Sequence, residues 1–211
     1  MLDMKKKMRK IHTEIVQGTP EWHALRLKYP LTASKAQAIG NQGSGLETLV
    51  YERLSAKYSK YDDEKYSNKD LERGKELEPQ ARALYELETG NEVEEIGFVT
   101  DDEISKVGGI SPDGAIIGQN GGVEIKCFED KKHFRLSLEQ DFAIESVYVW
   151  QMQQQMLFMG WDFVDFVAFN PNYQRSLLIK RVMKDEVMQK KIKKGLVMGE
   201  KLIKEIETKL K

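Results

Sequence analysis

Gly108-Gly109-Ile110-Ser111-Pro112-Asp113-Gly114 leads into Ala115-Ile116-Ile117, a polar turn, and then Gly122-Val123-Glu124-Ile125-Lys126-Cys127. The two short runs, 115–117 and 123–127, are β-branched or apolar, and the turn between them is Gly118-Gln119-Asn120-Gly121. Asn-Gly between such runs is a strong hairpin signal, because both residues accept the positive φ of a tight turn. The two runs are therefore predicted to pair, with Asp113 at the entrance of the first strand and Glu124 in the second. Side chains alternate along a strand, so Glu124 and Lys126 share one face and Ile125 takes the other.

Two carboxylates and an ammonium then meet at one end of a sheet. Close carboxylates repel unless a cation or a proton lies between them. Hard oxygen ligands of this kind suit Mg2+ or Mn2+, which keep several waters and draw on substrate phosphates for the rest. A lysine two residues beyond the second carboxylate can orient or deprotonate a water beside the metal. The chemistry indicated is metal-assisted phosphodiester hydrolysis. The plain alternative is a solvated hairpin with ordinary surface charges. The apolar neighbours Val123 and Ile125 weigh against it, since buried charge is costly unless it is used or paired.

Pro112-Asp113 followed by Glu124-Ile125-Lys126 matches the Pro-Asp…(Asp/Glu)-x-Lys nuclease signature. With the flanking Ser111, Gly114 and Cys127, the chain resembles the phage lambda-type exonuclease, or YqaJ-like viral recombinase, family. Three further segments agree in order and approximate spacing: Trp22-His23-Ala24-Leu25-Arg26 with Thr32-Ala33-Ser34, Gly74-Lys75-Glu76-Leu77-Glu78, and Tyr148 with Gln151 and Gln153. The resemblance runs from Trp22 to Pro171.

The resemblance implies a restriction-endonuclease-like α/β (α+β) fold, a mixed central sheet flanked by helices on both faces. It also implies an exonuclease that digests duplex DNA from 5′ to 3′. Such an enzyme leaves 3′ single strands for phage-type recombination by single-strand annealing. On this basis Asp113, Glu124 and Lys126 are the catalytic candidates. Asp113, Glu124, the Ile125 carbonyl and Glu78 are the candidate ligands of Mg2+, with Mn2+ as a substitute. Arg26, Ser34, Thr32, Gln151 and Tyr148 are the DNA-binding candidates, with Arg26 and Ser34 placed at the 5′ phosphate. The implied partners are duplex DNA ends, a single-strand annealing protein, and further copies of the chain in a ring-shaped trimer. Another nuclease of the same superfamily, an endonuclease or a junction resolvase, is the nearest alternative. A non-catalytic DNA-end-binding module is the more distant one, disfavoured because such a module has no need of the Asp113, Glu124 and Lys126 trio.

The 211 residues suit a single nuclease domain over 1–211 with a substantial core. No apolar run approaches the roughly 18 residues of a membrane helix, and no signal-peptide core follows the basic N-terminus, so no membrane role is expected. The single cysteine, Cys127, excludes an internal disulfide and a multi-cysteine metal site, and a reducing cytoplasm is expected. The net charge of −1 conceals an asymmetry. Residues 61–103 hold fifteen Asp/Glu against five Lys/Arg, and residues 180–211 hold eleven Lys/Arg against five Asp/Glu. Such a division suits a protein with one phosphate-facing and one acidic surface, or simply a soluble lysine-rich helix.

Along the chain, an edge strand is expected over 11–17. Thr19-Pro20-Glu21 opens a helix with Trp22, Leu25 and Leu27 as its apolar face, ended by Pro30. A second short helix is expected from Thr32 or Ser34 to Ile39, its N-terminus and Arg26 together offering donors to a phosphate. A capping serine and a surface arginine are the alternative. After a flexible loop at 41–45, a helix from Glu47 to Tyr58 carries Leu46, Val50, Leu54 and Tyr58, and an exposed loop covers 59–68. The next helical pattern runs from Asn68 to Gly90, with a break near Gly74–Glu78 because Pro79 is unwelcome inside a helix. Strands follow at 93–99 and 106–110, joined by the acidic turn at 101–103, and then the hairpin. A short helix and loop at 129–141 bring Lys131, Lys132 and Arg135 toward DNA or solvent. The pattern from Ala143 to Met159 is a helix that borders a polar cleft. Two strands, 163–169 and 176–183, and an amphipathic helix from Asp185 complete the chain, with Gly195 and Gly199 as weak points in that helix.

Overall fold

The computed structural model describes residues 9–60 and 69–210. Over them the chain forms β1 (Arg9–His12), α1 (Pro20–Lys28), β2 (Leu31–Thr32), a 3-10 turn at Ala33–Lys35, α2 (Ala36–Asn41), α3 (Gly43–Tyr58) and α4 (Lys69–Thr89). Five strands follow: β3 (Val93–Glu94), β4 (Phe98–Asp101), β5 (Ser105–Ile110), β6 (Gly114–Ile116) and β7 (Gly121–Cys127). The remainder is α5 (Asp130–Ser137), α6 (Ser146–Met159), β8 (Phe163–Phe169), β9 (Leu177–Met183) and α7 (Glu186–Lys209).

The hairpin forms as its turn dictates, with β6 antiparallel to β7 in the register Gly114↔Val123 and Ala115↔Gly122. β7 then pairs parallel with β8, Glu124 opposite Phe166 and Lys126 opposite Ala168. That makes β7 the central strand of the five-stranded order β3-β6-β7-β8-β9. The alternation of side chains divides this sheet cleanly. Val123, Ile125, Phe163, Val167 and Phe169 pack with Ala81 and Tyr85 of α4. Val164, Phe166 and Ala168 face the other way, into a larger core with Met152 and Met156 of α6 and with α2, α3 and α7.

The strands form two mixed sheets rather than the one central sheet expected; the second has the order β1-β4-β5-β2. Pro112 explains the division. Proline offers no N–H to a ladder, and the chain leaves one sheet at Ile110 and enters the other at Gly114. Helices cover both faces, and the α/β (α+β) class holds.

Several local expectations are corrected. The first strand ends at His12. α1 starts as its Thr19 cap and Pro20 require, but none of its residues is buried and Leu27 is exposed. The expected loop at 41–45 is mostly helical, because Gln42 and Gly43, both at φ 62°, turn the chain directly from α2 into α3. Tyr58 is exposed rather than part of the α3 stripe. The loop expected at 59–68 lies, from residue 61, outside the described residues.

α4 does not break at Gly74–Glu78 but runs through Pro79. Pro79 and Lys75 are exposed, so the carbonyl that loses its helical donor sits where water can replace it. The sequence places Leu77, Ala81, Leu84 and Leu87 on one buried stripe of this helix; Ala81 and Tyr85 are buried, and Leu87 is exposed. α6 begins at Ser146, not Ala143, and is buried along most of its length rather than bordering a cleft on one side. Gly160, at φ 69°, ends it as expected.

Gly195 and Gly199 are close-approach positions and not weak points. α7 presses so tightly on α2 and β2 that a Cβ at 195 would run into the Ile39 carbonyl oxygen, and one at 199 would meet Leu31 Cδ1 at 2.5 Å. Helix propensity favours Ala over Gly by about 1 kcal/mol, whereas overpacking against fixed backbone costs about 1–3 kcal/mol. Gly195→Ala is therefore expected to lower the melting temperature by several degrees. Gly45→Ala, where the nearest atom is Ala38 Cβ at 3.9 Å, is expected to raise it. Thermal unfolding followed by circular dichroism checks both signs.

Candidate active site

The loop ahead of the hairpin is held from several sides. Trp22 Nε1 donates to Ser111 Oγ at 2.7 Å, and Ser111 Oγ donates to the Gly97 carbonyl. Gln17 Nε2 donates to the carbonyls of Ile96 and Pro112 at 2.8 and 2.9 Å. Asp113 emerges from this loop, and its Oδ2 accepts the backbone N–H of Ile125 at 2.6 Å. One carboxylate is thus clipped to the middle of the neighbouring strand.

The second carboxylate, Glu124, has no exposed surface. Its Oε1 accepts from Gln151 Nε2 at 2.6 Å and pairs with the Lys126 ammonium. Its Oε2 accepts from Gln155 Nε2 at 2.6 Å. Gln151 and Gln155 are one turn apart on α6, which puts both amides on the same face of the helix. The Lys126 ammonium lies 5.5 Å from the centre of the Tyr148 ring. Tyr148 in turn accepts from Lys132 Nζ at 3.3 Å, and Lys132 pairs with Glu145 at 2.7 Å. Of the basic residues of α5 expected near DNA, Lys132 is thus engaged within the protein.

Burial raises the Asp113 carboxyl well above its ordinary range, and the charges of Glu124 and Glu78 add to the effect against the opposing Lys126. Burial works against the Lys126 charge, but Glu124 and Asp113 outweigh it and hold the ammonium more firmly protonated than usual. Glu78 reaches this cluster from α4. It is ion-paired to Arg82 at 2.8 Å. Burial raises its pKa, Arg82 opposes that shift, and Glu124 reinforces it. The Cys127 thiol is pushed up to about 12, by burial first and then by the charges of Glu78 and Asp113; it is no nucleophile.

Among the described residues, no group of three or more His, Cys, Asp or Glu forms a ready cage for a metal. The donor set suits an ion of a particular kind. Two carboxylates and a backbone carbonyl match Mg2+ or Mn2+, which bind through one or two carboxylates and complete their shell from water and phosphate.

A second cluster lies on the far side of Trp22. Arg26 stacks on the Trp22 ring, 4.4 Å from its centre. Arg26 Nη2 donates to Thr32 Oγ1 at 3.4 Å and Ser34 Oγ at 3.3 Å. The helix start expected here takes the form of a 3-10 turn with Thr32 at its N-cap position. Thr32 belongs to β2, Ser34 lies within the 3-10 turn, and α2 begins only at Ala36. The hydroxyls face Arg26 rather than capping backbone N–H groups, and Thr32 makes no side-chain cap bond. Burial pushes Arg26 down to about 10, helped by the neighbouring charge of Arg53. Arg53 Nε is buried without a hydrogen-bond partner among the described residues.

The structure therefore brings Asp113, Glu124, Lys126, Gln151 and Tyr148 into one cluster, with Glu78 at its edge, and Arg26, Thr32 and Ser34 into another. Gln153 belongs to neither. It donates to the Met183 carbonyl at 2.9 Å and accepts from Asp185 N–H at 2.8 Å. In the sequence Gln155 falls on one helical stripe with Tyr148 and Gln151, at a spacing of four from Gln151, but sequence reasoning assigned neither Gln155 nor Arg53 to a site. Arg53 was masked by the apolar α3 stripe around it.

This fold is that of the alkaline exonucleases. An alkaline exonuclease from Laribacter hongkongensis matches with a TM-score of 0.73 and 28% identity, covering 91% of this chain and 98% of that one. The same enzyme in complex with dAMP matches with a TM-score of 0.71 and 29% identity, at the same coverage. A phage related exonuclease from Haemophilus somnus shares the fold at 17% identity, with a TM-score of 0.60 over 86% of this chain and 96% of that one. The YqaJ-like viral recombinase domain model matches residues 21–162, and the chain belongs to that family. No curated protein matches it in sequence.

The burial of Asp113, reinforced by the charge of Glu124, yields a stability prediction. A carboxyl whose pKa is raised by folding keeps its proton longer in the native than in the unfolded state. Stability then falls as pH rises above the ordinary value of about 3.9. Asp113→Asn is accordingly expected to melt at a higher temperature than the wild type at about pH 8 without metal, with the gap closing toward about pH 4. Melting curves across that range are the check; a variant less stable at the alkaline end would contradict the expectation.

Proposed function

We propose that this chain is a metal-dependent exonuclease that digests duplex DNA from 5′ ends, leaving 3′ single strands for phage-type recombination by strand annealing. The observation that carries this is the fully buried Glu124 carboxylate, paired with Lys126 and set beside Asp113 at the mouth of one hairpin. Family membership and the alkaline exonuclease neighbours support it. One of those neighbours binds dAMP, a nucleoside monophosphate of the kind that stepwise cleavage of a DNA strand releases.

Mg2+, with Mn2+ as a substitute, would be held by Asp113, Glu124 and the Ile125 carbonyl, with Glu78 at the margin. When bound, it supplies the positive charge that a phosphate and its leaving oxygen need. The protein's own groups do the rest. Lys126, paired with Glu124, orients or deprotonates the attacking water. The Tyr148 ring backs that ammonium. The Gln151 amide lies at the same oxygen of Glu124 and donates to the incoming strand. Arg26 and Arg53, with the Thr32 and Ser34 hydroxyls, form a donor cluster suited to the terminal 5′ phosphate.

The partners in this proposal are duplex DNA ends, an annealing protein that receives the 3′ strands, and a ring-shaped homotrimer in a bacterial cytoplasm. α7 also carries Val187, Val197 and Met198 exposed, apolar side chains that self-assembly would cover.

Linear duplex labelled at either end, with and without Mg2+, tests the activity. Mg2+-dependent loss of the 5′ label first, with covalently closed circles untouched, is the expected result. Cutting of the circle would instead make the protein an endonuclease. Asp113→Ala and Lys126→Ala are each expected to abolish digestion. For the end-binding cluster, a charge-assisted contact is worth roughly 1.5–3 kcal/mol. The wild type should then prefer 5′-phosphate over 5′-hydroxyl ends by about ten- to a hundred-fold, and Arg26→Ala should erase most of that preference. Initial rates on both ends for both proteins decide it; an unchanged preference in the variant would remove Arg26 from the end-binding role.

A further inference from the structure

We propose that Gln155 is a positioning residue for Glu124, holding Oε2 permanently, whereas Gln151 and Lys126 share Oε1 and give way when that oxygen takes up a divalent cation. This rests on the metal-dependent reading of the site. It assigns different tasks to two glutamines of identical chemistry.

The two oxygens of Glu124 have different surroundings. Oε2 meets Gln155, which is fully buried. Oε1 meets Gln151, which is half-buried, and Lys126, whose side chain is 26% exposed. The open side of the carboxylate is therefore Oε1. A carboxylate oxygen has two lone pairs, and Oε1 already faces two donors. A cation arriving there must displace one of them, and both belong to side chains with room to move. Gln155 has no such room.

Nothing else explains why position 155 carries an amide. Its own Oε1 is buried and finds no donor among the described residues. The protein accepts an unpaired acceptor in order to place one N–H on Glu124. Gln154 likewise leaves its Oε1 without a donor among the described residues, but it and Gln153 tie down backbone carbonyls, whereas the Gln155 amide goes to the Glu124 carboxylate. A residue that fixes the angle of a ligating carboxylate typically changes metal affinity by about 10–100-fold when removed.

The experiment is calorimetric titration of Mn2+ into the full-length protein without DNA, for wild type, Gln155→Met, Gln155→Asn and Gln151→Met. Metal-free melting curves establish that each variant is folded. Gln155→Met, close in volume but without a donor, is expected to weaken Mn2+ binding by at least about tenfold. Gln151→Met is expected to leave it unchanged or tighten it, because a competitor for Oε1 has gone. The Mn2+ concentration giving half-maximal digestion should shift in the same way for Gln155→Met.

Gln155→Asn separates positioning from packing. Asn keeps the amide on a shorter stem and leaves a larger void. A packing role makes it worse than Met, and a positioning role makes it better. If Gln155→Met does not fold, Gln155→Asn is compared with the wild type directly, with a weaker but measurable loss expected. Equal weakening in the Gln155 and Gln151 variants overturns the division of tasks, as does unchanged Mn2+ affinity in the Gln155 variants. A wild type that takes up no Mn2+ overturns the metal-dependent reading itself.

Discussion

A carboxylate with no exposed surface, in the middle strand of a sheet, has to find its hydrogen-bond donors inside the protein, and much of this architecture supplies them. Glu124 has β6 on one side of its strand and β8 on the other. Lys126 comes from the same strand and Gln151 and Gln155 from α6. α6 must therefore lie across β7 with its amides inward. The same helix then serves the rest of the molecule. Gln154 donates to the Leu31 carbonyl at 3.0 Å, on β2 of the other sheet. Gln153 joins the end of β9 to the start of α7. Three consecutive buried glutamines thus hold three different elements, and one helix ties both sheets to α7.

The two candidate clusters are linked through a single side chain. Trp22 gives its N–H to Ser111, two residues before Asp113, and its ring face to Arg26. Displacement of α1 would move the arginine cluster and pull on the Asp113 loop together. That accounts for a large aromatic residue in a helix that buries almost nothing else. On the proposed reading, the distance between the end-phosphate site and the scissile bond is set by one indole ring. Such spacing matters because reacting groups must be held to within a fraction of an ångström.

Local signals with a single physical cause were legible in the sequence. The Asn-Gly turn, the alternation of Glu124 and Lys126, the Thr19-Pro20 helix start and the Gly160 stop depend only on neighbouring residues. What was hidden depended on distant ones. The division into two sheets turns on Pro112 in a loop, which the sequence marked as a nuclease motif rather than a sheet boundary. Gly195 and Gly199 read as helix defects until Ile39 and Leu31 were found against them. The amides of α6 suggested a polar cleft, because Tyr148, Gln151 and Gln155 share one stripe and the other positions form no clean apolar face. Their partners are carbonyls and a carboxylate far away in sequence. For the site, the residues of the hairpin were legible and their donors only partly so. Gln155 and Arg53 matter through what they touch, and those partners are distant in sequence.

The two clusters also differ in charge, and that difference orders the events of the proposed reaction. Around Asp113 there are three carboxylates, those of Asp113, Glu124 and Glu78. Against them stand Lys126 and Arg82, and Arg82 is shared with Glu95. That centre repels a phosphate. Around Arg26 there are two guanidiniums, and Arg26 donates to the neutral hydroxyls of Thr32 and Ser34. That cluster attracts one. A DNA end approaching without a cation would be drawn to the arginines and turned away from the carboxylates. Coulomb forces of this size act over several ångströms in a partly dry site. On the proposed reading, a divalent cation held by Asp113 and Glu124 would offset that repulsion at the carboxylate centre alone, so that anchoring of the end would not depend on metal while admission of the scissile phosphate would. The buried, unbalanced acid that makes the hairpin costly to fold is what gives that step its control.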